Sequence, residues 1–278
     1  MAVFHEPILA GESLSDLVQI AGLIRFSYPC EGGFQRKHDS RAAQSAYLYA
    51  PARMEERFRF FEALCLHSLK AQTDKGFSVG VLIGEDLPAA YKARLEALLT
   101  GLPQATLIAL PYLPYPEAMQ RAYAHLFNGH APLHLSFRLD DDDALAVDFI
   151  AEVRARLPQI YGMSGGLDPA GLSFLQGLTL IHGQLVPSID VRPLGLGLCV
   201  LAPAGRQVSA LRFEHQKLHQ NMPVLMDPHP LMNLRAFHRS NDSPVVLPAG
   251  RRPQMSVAKI RDVLQRRFAL DMDKVLAL

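Results

Sequence analysis

Along residues 133–139, Leu133, Leu135, Phe137 and Leu139 alternate with His134, Ser136 and Arg138. This is the period of two that sends successive side chains to opposite faces of a β-strand. The strand runs straight into Asp140, Asp141, Asp142 and Asp143, and the pattern of residues 144–157 predicts a helix directly after them. Upstream, residues 18–26, 77–83 and 105–110 are short and almost wholly apolar, as interior strands of a parallel sheet are. Between them, apolar residues recur at three- and four-residue steps. Phe58, Phe61, Leu64, Cys65 and Leu69 do so in a helix over 54–71, and further helices are expected over 89–100 and 115–127. Residues 33–53 read as polar and irregular, with Lys37, His38 and Arg41 close together: a solvated loop, or one reaching a phosphate-bearing ligand. Strand and helix alternating in this order predict parallel βαβ units and a helix-covered sheet.

Past residue 157 the texture changes. Pro158, Gly162, Gly165, Gly166, Pro169 and Gly171 predict a loop region. Residues 175–186, 195–202 and 208–213 read as antiparallel strands, 214–221 as a short helix and 234–238 as a last short strand. Residues 255–268 predict an amphipathic helix whose basic face carries Lys259, Arg261, Arg266 and Arg267. No repeat or low-complexity linker divides the chain. The expected fold class is α/β in a single domain, with a mainly parallel sheet in the first half (1–157) and mixed β with helices in the second (158–278).

Composition narrows the function classes. A net charge of +1 with no basic run gives no footing for nucleic-acid binding. The 3 cysteines, Cys30, Cys65 and Cys199, are too few and scattered for a disulfide framework or a cysteine zinc site, which fits a cytoplasmic location. No apolar run approaches the roughly 20 residues that span a bilayer. The N-terminal stretch, with Glu6, Glu12 and Asp16, lacks the basic-then-apolar order of a signal peptide. A soluble protein is expected, and the sequence is compatible with peripheral membrane contact.

The chemistry concentrates at the four aspartates. Most such runs are solvated turns, and one member can cap the helix that follows. Position favours more than that, because ligands of α/β folds bind beyond the carboxyl ends of strands. Adjacent carboxylates repel one another, and a hard divalent cation, Mn2+ or Mg2+, relieves that repulsion while sharing its coordination with phosphate oxygens. Other motifs fail on context. Gly162, Ser164 and Gly166 match a nucleophile elbow, but without the strand and helix that motif needs. Gly195 and Gly197 lack the third glycine of a dinucleotide site, and there is no Walker loop. His215 and His219 stand four apart, without a third zinc ligand, and read as surface or acceptor-site histidines. His238 ends an apolar stretch in a polar turn and is either an ordinary loop histidine or a ligand. Asp190 and Glu214 are the remaining carboxylate candidates for a general base, and spacing singles out neither.

An ordered set of segments carries a family resemblance: Arg25-Phe26-Ser27, the helix end Ser68-Leu69-Lys70-Ala71-Gln72-Thr73-Asp74, the apolar strand 77–84, and Arg138-Leu139-Asp140-Asp141-Asp142-Asp143-Ala144-Leu145. In that order and spacing the chain resembles the bacterial "putative rhamnosyltransferase" family, related to glycosyltransferases of the GT-A fold. The resemblance implies a nucleotide-diphosphate-sugar donor, a carbohydrate or glycan acceptor hydroxyl, and a divalent cation held by an Asp-x-Asp element within residues 140–143. Both registers of that element fit. Asp141 and Asp143 are taken as the direct ligands, with Asp140 or Asp142 toward the sugar or ribose. His238, ahead of Asn241 and Ser243, resembles the C-terminal histidine that completes such metal sites. Arg25 and Ser27, with Arg138, fall where these enzymes contact the nucleotide-sugar. Residues 195–197 correspond to a glycine-containing loop near the donor sugar. Two rival readings share the fold: a nucleotidyltransferase, and a non-catalytic carbohydrate- or partner-binding protein. Neither the sugar nor an inverting or retaining course follows from these residues.

Overall fold

The computed structural model describes residues 13–127, 129, 131–241 and 254–278. Glu6, Glu12 and Ser243, named above, lie outside these. Three strands of the first half, β1 (Val18–Arg25), β2 (Ser78–Gly84) and β3 (Ala105–Leu110), lie parallel, and β4 (Leu133–Leu139) pairs parallel with the other edge of β1. This is the arrangement the apolar runs predict. The connections are helical. They comprise α1 (Arg41–Leu48), α2 (Pro51–Phe60) continued by a π-helical segment (Phe61–Leu66) and α3 (His67–Lys70), then α4 (Ala89–Leu99) and α5 (Tyr115–Leu126). Helix α1 stands where an irregular segment is expected. Ser40 caps it, its hydroxyl accepting from the Ala43 amide.

The segment after the aspartates departs from expectation. Ala144–Leu145 is not helical but a two-residue strand, β5, paired antiparallel with Asn233 and Leu234. The helix, α6 (Phe149–Ser164), starts later and runs through Pro158 to Gly165, whose φ is +61°. Pro158 removes one backbone bond and costs about 3 kcal/mol in a helix interior. Burial of Phe149, Ile150, Val153, Leu157 and Ile160 on one face offsets that, at roughly 1.5–3 kcal/mol for each large side chain. Ser164 therefore ends a helix, not a strand-to-helix elbow.

The second half supplies β6 (Ala170–Phe174), β7 (Gln176–Ile181), β8 (Gln184–Ile189), β9 (Cys199–Pro203), β10 (Val224–Asp227) and β11 (Asn233–Phe237). Strand β9 is antiparallel to both β4 and β6, which extends the first sheet to the order β10-β6-β9-β4-β1-β2-β3. A second sheet, β5-β11-β7-β8, contains the hairpin β7–β8 and the parallel pair β7–β11. Residues 208–213 form turns in place of the expected strand. Ala210 and Leu218 are held there by packing on Leu198 and Val200, and the Ala210 amide bonds the Ser136 hydroxyl in place of a ladder. A 3-10 helix spans His215–Gln220, and α7 (Val257–Phe268) and α8 (Met272–Leu276) close the chain.

One buried cluster runs from Ile20 and Phe58 through Phe137, Phe149 and Phe174 to Leu264 and Phe268, so the two halves share a core. Among the described residues no helix is long and apolar enough to cross a membrane.

Candidate active site

The parallel pairing of β1 with β4 brings Ile24 opposite Leu139. One residue further on, Arg25 and Asp140 leave the sheet side by side at its carboxyl edge, where a cavity of about 230 Å³ opens. Arg25, Ser27, Arg138, Asp140, Asp141, Asp142 and Asp143 all line it, joined by Arg53, Arg57, Tyr115, His215 and Arg235.

Arg25 is fixed on three sides. Its Nη1 donates to the Gly33 carbonyl at 2.9 Å, and its guanidinium lies 4.6 Å from the Phe34 ring centre and 5.5 Å from that of Tyr115. Gly33 has a φ of +71°, and a Cβ there would collide with the Tyr115 ring, so only glycine presents this carbonyl. Ser27 sits at φ +50°, and its Oγ accepts from Arg53 Nη1 at 2.8 Å. Of the segment read as a candidate phosphate loop, Gly33, Phe34, Gln35 and Arg53 reach the cavity. Lys37, His38 and Arg41 do not line it, and Arg41 pairs with Asp86 at 3.7 Å.

The aspartates divide by partner. Asp140, the most exposed, receives Arg138 Nη2 at 3.2 Å on both oxygens. Arg57 Nη1 reaches Asp141 Oδ1 at 2.9 Å and Asp142 Oδ2 at 2.8 Å, all three side chains buried. Asp142 Oδ2 also meets His238 Nε2 at 2.9 Å and accepts from Asn241 Nδ2 at 2.9 Å. Burial disfavours its charge, yet Arg57 and then His238 pull its pKa down to about 2. Asp141 goes the other way. Burial outweighs Arg57 and, with the Asp142 charge, lifts it to about 6, and its Oδ2 is buried with no hydrogen-bond partner. Asp143 accepts the Ala236 amide at 2.9 Å through Oδ1, and burial with the charges of Asp142 and Asp140 pushes it well above the usual carboxylate range.

A model of the family described as "Putative rhamnosyl transferase" matches residues 19–250. The chain belongs to that family. No curated protein sequence matches it. Among solved structures, this family member is similar to S. aureus TarS in complex with UDP-GlcNAc, at 11% identity over 82% of this chain and 62% of that one, with a TM-score of 0.45. TarS in complex with UDP gives 10% identity over 79% and 60%, with a TM-score of 0.44. A "putative nucleotide-diphospho-sugar transferase" from Desulfovibrio desulfuricans gives 14% identity over 79% and 80%, with a TM-score of 0.33. The chain spans about 60% of the length of the TarS chains. At such distance the family match carries the assignment.

In this rhamnosyl transferase family member, three of the ligand and base candidates from the sequence are not lining residues of the cavity. His238 is stacked on Phe60 at 4.3 Å and does not line it; with Nε2 at Asp142, its Nδ1 lies 3.1 Å from Ser240 Oγ and 3.4 Å from Glu56 Oε2. Glu214 points to solvent and pairs with Lys217 at 2.8 Å. Asp190, just past β8, is raised by burial against the pull of Arg235 and is also not a lining residue. Conversely, His215, expected as a surface or acceptor-site histidine, lines the cavity, and so do Tyr115, Arg235, Arg57 and, from the end of segment 33–53, Arg53, none of these four predicted by name. The spacing of Arg53 and Arg57, four apart on an otherwise apolar helix face, was the one sequence signal available for them.

Among the described residues no group of three or more His, Cys, Asp or Glu side chains is arranged to hold a metal ion. The carboxylates nevertheless fit a cation bound with substrate. Asp141 and Asp143 both carry raised pKa values, and Asp141 Oδ2 lacks any donor, whereas Asp142 is engaged by Arg57, His238 and Asn241. Mg2+ is commonly held by one or two carboxylates, with phosphate oxygens and water completing the set.

Proposed function

We propose that the protein is a glycosyltransferase that moves a sugar, rhamnose by family, from a nucleotide-diphosphate donor to an acceptor hydroxyl, with Mn2+ or Mg2+ bound at Asp141 and Asp143. The observation that carries this reading is the convergence of Arg25, Arg53, Arg57, Arg138 and Arg235 with four aspartates in one cavity at the carboxyl ends of parallel strands. Arginine forks suit phosphate oxygens, and carboxylates suit a hard cation or sugar hydroxyls. A bound cation would supply charge neutralisation on the diphosphate as it departs. The protein's own part is to hold the diphosphate. Arg25, clamped between Phe34 and Tyr115, is preorganised for it, and Arg138 is tied to Asp140 beside it. Asp140, the exposed member of the four, is placed to bond a sugar or ribose hydroxyl. The buried thiols of Cys30, Cys65 and Cys199 are free, which suits a reducing cytoplasmic compartment.

The test is a thermal-shift panel of UDP, GDP, dTDP and their sugars, each with Mn2+ or EDTA, followed by turnover of the donor that stabilises most. Mn2+-dependent stabilisation and release of nucleoside diphosphate are expected. Alanine at Asp141 or Asp143 is expected to abolish that turnover while the protein stays folded. Full activity in both variants would sink the metal assignment, and no nucleotide-linked stabilisation at all would sink the donor.

A further inference from the structure

His215 opens the 3-10 helix and lines the donor cavity, while its neighbour Glu214 turns to solvent and pairs with Lys217. Among the described residues its ring makes no hydrogen bond, and neither ring nitrogen is buried without a partner. The cavity's carboxylates have other partners: Arg138 holds Asp140, Arg57 holds Asp141 and Asp142, and the Ala236 amide holds Asp143, while the oxygen left without a donor, Asp141 Oδ2, is the one assigned to the cation. The chain at Gly195 packs against both His215 and Arg138. A Cβ there would stand 3.3 Å from His215 Nδ1 and 3.2 Å from Arg138 Cζ, so the imidazole and the guanidinium lie against the same short stretch of backbone.

We propose that His215 is the base that takes the proton of the attacking hydroxyl; this rests on the glycosyl-transfer reading above. The acceptor oxygen bonds to the anomeric carbon, and the bond from that carbon to the donor phosphate oxygen breaks. Its electron pair leaves with the nucleoside diphosphate, the hydroxyl proton moves to a His215 ring nitrogen, and solvent then receives it. The course is a single displacement with inversion.

The charged groups that act on His215 are Arg138 and Asp140 at the end of β4, Arg235 on β11 and, from the solvent side, the adjacent Glu214. Burial first, then Arg138, depress its pKa to about 4, so the ring is neutral with a lone pair available at pH 7. A diphosphate bound beside Arg138 and Arg235 offsets those two cations. Donor binding therefore raises the proton affinity of the ring when a base is needed.

The experiment compares the full chain with His215→Gln and the shorter His215→Asn, each checked for folding by circular dichroism. The probes are UDP-glucose, UDP-GlcNAc, GDP-mannose and dTDP-rhamnose with Mn2+, and water serves as acceptor. Both variants are expected to lose about 10²- to 10³-fold in kcat for nucleoside diphosphate release. Affinity for the nucleoside diphosphate should change by less than about threefold, because a base acts in the transition state alone. The acidic limb of the wild-type kcat–pH profile should vanish from the residual activity. A folded variant with undiminished kcat, or with the acidic limb intact, overturns the role of His215 and leaves the donor reading standing. A wild-type protein that binds nucleotide yet releases nothing from any donor overturns the glycosyl-transfer reading, and the base with it.

Discussion

His238 Nε2 lies 2.9 Å from Asp142 Oδ2, inside a buried cluster that also contains Arg57 and Asn241. The histidine carries its partners in series: Phe60 stacks on its ring, and Ser240, whose hydroxyl also bonds Glu56, approaches its Nδ1. Asp142 is thereby a strut between the end of β4 and the segment after β11. Its charge, with that of Asp141, faces the buried Arg57 guanidinium.

Asp142→Asn is accordingly expected to act on stability. Removing one partner of a buried pair costs about 3–5 kcal/mol, which for a chain of this size lowers Tm by roughly 6–15 °C. The folded-state pKa of about 2 lies below the ordinary carboxylate value, so this contribution is complete above about pH 4 and fades as pH falls toward 2. Thermal unfolding of wild type and variant from pH 7 to pH 3 checks it. A constant Tm difference across that range would contradict it.

Asp141 has the opposite sign. Its folded pKa, raised to about 6, lies above the unfolded value, so the folded state binds the proton more tightly. The stability due to this group therefore falls as pH rises from about 4 through 6. Asp141→Asn is expected to raise Tm in EDTA at pH 7.5, with the gain shrinking toward zero near pH 4, and to lose donor turnover. A variant no more stable than wild type at pH 7.5 would count against the buried-charge account.

Arg25→Ala is expected to weaken nucleoside diphosphate binding about 10- to 100-fold, the worth of a charged hydrogen bond of about 1.5–3 kcal/mol. Arg25→Lys should recover only part, since an ammonium lacks the planar fork held between Phe34 and Tyr115. Calorimetric titration with UDP, GDP and dTDP measures both. Equal affinity in all three proteins would remove Arg25 from the site.

Gly33→Ala tests the same contact from the backbone. A positive φ costs a non-glycine residue roughly 1–2 kcal/mol, and the added methyl meets the Tyr115 ring. Nucleotide affinity should fall about tenfold as the Gly33 carbonyl shifts from Arg25. An unchanged affinity with lowered Tm would confine the glycine to a structural role.

Much of this arrangement can be read locally. The alternation ending at Leu139 places the aspartates at a strand end, and the apolar run ending at Arg25 does the same for the arginine, because strand periodicity depends on residues adjacent in sequence. The βαβ order of the first half follows from the same local signals. The second half was less legible. Strand β6 lies among glycines and prolines that mark turns, and helix α6 passes through a proline that ordinarily ends one.

Sequence alone thus determined the parallel frame and the two strand ends, Arg25 and Asp140, that open onto the cavity. The tertiary structure decided which aspartate is spoken for and which carries an unmet charge. The Arg57–Asp141 contact spans 84 residues, His238–Asp142 spans 96 and Ala236–Asp143 spans 93. No local period records such pairings. It likewise turned Glu214 outward and His215 inward, since the direction of a side chain on a short 3-10 helix is set by what Leu218 packs against, Leu198, Val200 and Met222, and not by its neighbours in the chain.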